Sequence, residues 1–199
     1  ELTRHRLSVA LIEARNDVGA GTSKANTAIL HTGFDATPGS TESRLVARGY
    51  ELLRAYAPTV GISIEETGAV LVAWDDEQAD SLPASAAKAI ANGYLNAQII
   101  DAAIVRDIEP HLGEGVTGGM VVPGEQLIDP WSTPIAFATE AVLNGCRLFT
   151  SFSVSGAEVG TETTALTATD GRTIRARYVV NAAGLNGDTL HRLFGHAGF

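Results

Sequence analysis

A carboxylate closing an apolar strand, a polar loop punctuated by glycines, one histidine beside a glycine and a late strand ending in small residues are the parts of this chain equipped for chemistry. Glu13 stands at the end of the apolar run Leu7–Ala14. In a dinucleotide-binding βαβ unit such a strand is the second one, and its terminal carboxylate hydrogen-bonds an adenosine ribose. A glycine turn should then lie roughly 20 residues upstream. The twelve residues before Glu13 contain no glycine. A solvated carboxylate at a strand end is the other reading of the same position.

Gly19, Gly21, Thr22, Ser23 and Lys24 form a loop that feeds a helix start. It is not the dinucleotide turn, because Lys24 stands where a third glycine belongs, and the P-loop spacing fails as well. What remains is a flexible loop whose backbone N–H groups can meet an anion or a polar cofactor edge, or an ordinary surface loop. His31 lies between Leu30 and the Thr32, Gly33 pair. Gly33 lets a planar ligand approach, whereas a packed ring is the alternative. A histidine titrates in free solution near ~6.5, which suits proton transfer at neutral pH. From Tyr178 to Gly184 an apolar stretch ends in Ala182, Ala183 and Gly184, where backbone can touch a ligand with no large side chain between.

Composition narrows the partners. The 199 residues are 45% hydrophobic with a formal charge of −9. That balance argues against nucleic acid, whose phosphates need clustered Lys and Arg. Cys146 is the single cysteine, so an intrachain disulfide is excluded, and it reads as a small apolar residue opening a strand. His5, His111, His191 and His196 have no ligand spacing with carboxylates, and no metal is expected. No apolar run reaches the ~20 residues that span a bilayer. A reducing, cytoplasmic setting is expected, with peripheral membrane association as the variant.

These residues need elements to hold them. The patterning predicts a strand over 7–14, a short helix over 24–30 capped by Ser23, and a helix over 42–57. The face of that last helix is Leu45, Val46, Leu52, Leu53 and Tyr56. Strands are expected at 62–67 and 69–74, then a helix over 75–92 in which Pro83 marks a kink or restart. Asp101 caps a short helix that stops before Pro110. A strand at 118–122 follows, and Asp129 with Pro130 starts a helix reaching Asn144. Three strands at about 147–159, 163–169 and 173–180 come next, with Asp170 and Gly171 as a hairpin turn. The strands 7–14 and 177–180 are expected to share one sheet. The order is that of a discontinuous α/β dinucleotide domain, with inserted material at roughly 58–127.

Taken together, the segments Val9–Ala14, Gly21–Phe34, Glu109–Leu112, Ile128–Pro130 and Val180–Gly184 resemble the FAD-dependent oxidoreductases of the D-amino-acid-oxidase superfamily. They lie nearest its flavin-linked glycerol-3-phosphate dehydrogenases and 2-hydroxyglutarate-oxidising members. The resemblance implies a glutathione-reductase-like, Rossmann-type FAD-binding domain over 1–57 and 128–199, and an α+β substrate or cap domain over 58–127. It implies FAD as cofactor. Glu13 and Ala14 would sit at the ribose and Gly21, Thr22 and Ser23 near the pyrophosphate. Ala28, Ile29 and His31 would lie beside the flavin, Val154 on the adenine side, and Ala182, Ala183 and Gly184 against the cofactor from the late strand. His31 would be the catalytic residue. The implied substrate is a small molecule, a phosphorylated polyol or a 2-hydroxy acid, oxidised by hydride transfer; an amine or amino acid is the alternative. The resemblance also implies chain beyond both ends, so that the 199 residues alone hold FAD weakly, and a fragment that folds without cofactor is the non-enzymatic alternative. A nicotinamide-dependent dehydrogenase fits less well, because no regular run of βαβ units follows Glu13.

Overall fold

The computed structural model describes residues 1–197. Along the chain, β1 (Ala10–Ile12) precedes β2 (Ile29–Leu30), α1 (Thr41–Val60), β3 (Ile64–Glu65), β4 (Ala69–Ala73) and α2 (Asp76–Ala91). Next come β5 (Gln98–Asp101), α3 (Ala102–Ile108), β6 (Gly118–Val122), β7 (Gln126–Ile128), α4 (Ser132–Leu143) and β8 (Arg147–Phe149). The last are β9 (Val154–Val159), β10 (Thr164–Ala168), β11 (Thr173–Ala176) and α5 (Gly187–Leu193). The chain forms two compact units: Glu1–Asn26 with everything from Pro130 onward, and Thr27–Asp129.

In the first unit β1 pairs with β8 in parallel, Ala10 opposite Arg147 and Ile12 opposite Phe149. Parallel neighbours need a crossover, and α4 feeds straight into β8 and packs on it. The expected sharing of one sheet by 7–14 and 177–180 is corrected, because the sheet of β1 holds β8 alone among the described residues and 177–180 is not a strand. β11 ends at Ala176, and beyond it Tyr178 and Val180 are 86% and 74% exposed, with Val179 half-buried between them. The expected strand over 147–159 is also broken. Ser151 adopts φ 51°, which turns the chain between β8 and β9. β9, β10 and β11 then form an antiparallel sheet, and the Asp170, Gly171 hairpin stands where the sequence puts it, with Gly171 at φ 87°.

In the second unit β6 runs between β4 and β5 in an antiparallel sheet covered by α2 and α3. Ala73, Leu82, Met120 and Val122 make its core, with Phe34, Ala79, Ala86, Tyr94 and Ala97 packed around them. Gly119 has to be glycine: a Cβ there would lie 2.8 Å from the Leu71 carbonyl oxygen and from Val105. A second sheet orders β2, β7 and β3.

The helix ends follow their caps. Ser40, Asp75 and Asp101 each accept a backbone N–H three residues on. α2 passes through Pro83 without a break. The inward stripe of α1 runs from buried Ser43 through half-buried Val46, Tyr50 and Leu53 to buried Ala57, at helical spacing, while Leu45 and Leu52 lie off it and are exposed. The α4 start moves too. Asp129 donates its backbone N–H to Ser63, which keeps it in the second unit, and the helix begins at Ser132 with no side-chain cap.

Candidate functional site

The loop after β1 does not become the helix expected over 24–30. Only Thr22–Lys24 turns, as a 3₁₀ segment with Gly21 at its N-terminus and no cap from Ser23. Asn26 ends it by donating its side-chain N–H groups to the carbonyls of Thr22 and Ser23, so the chain leaves extended toward β2. Lys24 is fixed beside this turn. Its ammonium sits 2.7 Å from Asp17 Oδ2 and 5.9 Å from the centre of the Trp131 ring. The ammonium holds the Asp17 carboxyl below its ordinary value, with the Val18 N–H adding to the effect.

Glu13 sits where the β1 backbone is pinned on both sides. Its N–H donates to the Phe149 carbonyl and its carbonyl accepts from Phe152. One carboxylate oxygen accepts the Arg15 N–H at 2.8 Å. Glu13 and Ser23 meet at one cleft of about 250 Å³, walled by Leu11, Val18, Gly19, Pro134, Phe137 and Ala138. Ala14, Gly21 and Thr22 are exposed nearby in sequence, and a Cβ on Gly21 would meet nothing within 4 Å. Ala183 and Gly184 line a different, shallow depression with Asn181, Leu185, Gly187 and Asp188. There Asn181 shapes the turn, accepting from the Ala183 N–H and donating to the Gly187 carbonyl. Ala182 is exposed at the same turn, and Val154 is half-buried at the start of β9; neither lines the Glu13 cleft.

The second unit carries the other group of expected residues. Ala28 adopts φ 61°, a left-handed conformation costing about 1–3 kcal/mol for a residue with a Cβ. Its carbonyl accepts the Ile128 N–H, which fixes it at the edge of the β2–β7 pair. Ile29 follows, partly exposed, and then His31, whose side chain is 47% exposed.

Behind that ring lies a residue the sequence reading missed. Glu125 is 2% exposed. Its Oε2 is 3.0 Å from His31 Nδ1, and its Oε1 accepts both the N–H and the hydroxyl of Thr32 at 2.7 Å. Two tyrosines hold the turn before it: the Tyr94 hydroxyl accepts the Gly124 N–H, and the Tyr50 hydroxyl donates to the Gly124 carbonyl. Burial raises the Tyr50 phenol above its ordinary value, and the Glu125 charge pushes the same way, so it keeps its proton and donates. Arg54 opposes both. The signal available in sequence was slight: one acidic residue between Gly124 and Gln126, ahead of a short apolar strand. Among the described residues no cluster of His, Cys, Asp and Glu could hold a metal ion, and no helix is long and apolar enough to cross a membrane.

The profile described as "DAO: FAD dependent oxidoreductase" matches residues 1–198. The chain is 33% identical over 193 residues to the glycerol 3-phosphate dehydrogenase of Caloramator mitchellensis, covering 97% of this chain and 40% of that protein. It is 27% identical over 208 residues to the mitochondrial L-2-hydroxyglutarate dehydrogenase of Homo sapiens, covering 98% and 44%. Among solved structures, the FAD-bound, dithionite-reduced L-alpha-glycerophosphate oxidase of Mycoplasma pneumoniae superposes with a TM-score of 0.90 at 22% identity, covering 96% of this chain and 52% of that one. The chain thus spans about two-fifths to half the length of the proteins it matches.

Proposed function

The chain belongs to the DAO family of FAD-dependent oxidoreductases, and from that we propose that the protein carrying it oxidises the secondary alcohol of a small phosphorylated polyol, glycerol 3-phosphate first among candidates. The carrying observation is His31: a ring 47% open to solvent and backed by a buried carboxylate at 3.0 Å. A half-exposed imidazole with an anion behind it can take a proton and hold the resulting charge.

When bound, FAD supplies the acceptor for the hydride that leaves the carbinol carbon. His31 takes the hydroxyl proton, so hydride and proton together convert alcohol to ketone. The residues present fit such a cofactor. The Glu13 carboxylate lies at a cleft, suited to accept from ribose hydroxyls, with Ala14 beside it. Gly21 and Gly184 leave open space where a Cβ would be, so backbone there can be approached closely. Thr22 and Ser23 would offer hydroxyls to the cofactor's pyrophosphate. Val154, Ala182 and Ala183 are further residues of the first unit with small or apolar side chains that such a cofactor would meet, and Ala28 and Ile29 flank His31 in the second unit.

The substrate class draws support from the relative named as a glycerol 3-phosphate dehydrogenase. A 2-hydroxy acid is the second reading, supported by the L-2-hydroxyglutarate dehydrogenase match. A reducing, cytoplasmic setting suits the single, buried cysteine. The test is anaerobic stopped-flow reduction of the FAD-loaded protein with glycerol 3-phosphate, L-2-hydroxyglutarate and glycine in turn. Glycerol 3-phosphate should reduce it fastest, and His31→Asn should slow that step by ~10²–10⁴-fold with FAD still bound. A loss under about tenfold would remove His31 from the chemistry.

A further inference from the structure

We propose that Glu125 is the positioning residue that fixes the tautomer of His31, making Nε2 the atom that receives the substrate proton; the catalytic half of this statement rests on the function proposed above. An ionised carboxylate only accepts hydrogen bonds. Oε1 is already taken by the two donors of Thr32. Oε2 faces Nδ1 at 3.0 Å, so Nδ1 carries the hydrogen and Nε2 keeps the lone pair. Nε2 lies across the ring from the carboxylate, and the side chain as a whole is 47% exposed. Once Nε2 is protonated, the same carboxylate stabilises the imidazolium.

The arrangement is rigid. Residues 31 and 32 are adjacent and bind the two oxygens of one carboxylate, so the His31 backbone and its ring are referenced to the same group. The Glu125 backbone is held in turn by Tyr94 and Tyr50 through Gly124. Gly124 is closely enclosed by the same residues, a Cβ there lying 2.8 Å from the Tyr94 ring and 3.0 Å from the Thr32 methyl. A carboxylate fixed this way orients a histidine as the second group of a base–orienter pair does.

The test has two parts. Nitrogen-15 NMR of histidine-labelled chain, without FAD or substrate, reads the tautomer of the neutral His31 ring, assigned by its loss in His31→Asn. The expected form is Nδ1–H in the wild type and its loss in Glu125→Gln, whose amide can present an N–H to Nδ1. An Nε2–H form in the wild type, or a tautomer unchanged in Glu125→Gln, overturns the proposal. If Glu125→Gln does not melt cooperatively, the wild-type tautomer alone decides.

Stopped-flow reduction of the FAD-loaded protein then separates the two claims. Glu125→Gln should slow reduction at least tenfold, with a smaller change in substrate KM. If His31→Asn is slow and Glu125→Gln is not, the positioning role is overturned. If neither is slow, the function proposed for His31 fails while the NMR result still decides the tautomer.

Discussion

Glu125 Oε1 and Thr32 are joined by two hydrogen bonds of 2.7 Å, one from the backbone N–H and one from the hydroxyl, across 93 residues of chain. Both partners are buried, at 2% and 8% exposure. Buried donors to a carboxylate are the costly kind to lose.

Thr32→Val keeps the shape and removes the hydroxyl. It should destabilise the second unit by about 1.5–3 kcal/mol, the range for a hydrogen bond to a charged group. Urea denaturation followed by circular dichroism measures it. A change under about 0.5 kcal/mol would mean that water or the Thr32 N–H compensates.

Gly119→Ala places a methyl 2.8 Å from the Leu71 carbonyl oxygen, in the middle of the sheet beneath α3. Backbone cannot yield there as a flexible side chain would. The expected loss is about 1–3 kcal/mol, typical of overpacking, and appears as a lower Tm. Gly93→Ala is the contrast: its Cβ meets no atom within 4 Å, but φ is 84°, so any loss there reports backbone strain alone.

Glu13→Ala removes the carboxylate at the cleft and the acceptor of the Arg15 N–H. FAD affinity of the loaded protein should fall by about 1.5–3 kcal/mol, roughly 10- to 150-fold in Kd. Fluorescence titration of the apoprotein with FAD reads this directly. An unchanged Kd would return Glu13 to a purely local role in the loop.

Asp17 yields a pH signature. Lys24 lowers its carboxyl pKa in the folded chain, so its contribution to stability is complete above the ordinary value of 3.8. It is lost as pH falls through that value and on through the lower folded one. Melting curves of the wild type and Asp17→Asn between about pH 5 and pH 2 should therefore converge toward acid. Parallel curves across the window would show that the pair contributes nothing at this exposed site.

Much of this protein could be read residue by residue. Asp101 announces its helix, because a cap acts on an N–H only three residues away, and Ser40 and Asp75 cap α1 and α2 in the same local way. Asp170 and Gly171 announce a hairpin, since the turn geometry is local to them. Family membership was legible too, in short segments that keep their order along the chain. What only the tertiary structure decided is pairing across distance. Nothing near β1 says that its sheet partner is Arg147–Phe149, reached by the crossover through α4, or that 177–180 stays out of that sheet. Nothing around Gly124 and Gln126 says that the acidic residue between them is buried behind His31. Its two oxygens are filled by residues 93 and 94 positions away, and a local pattern has no means of recording a contact at that separation.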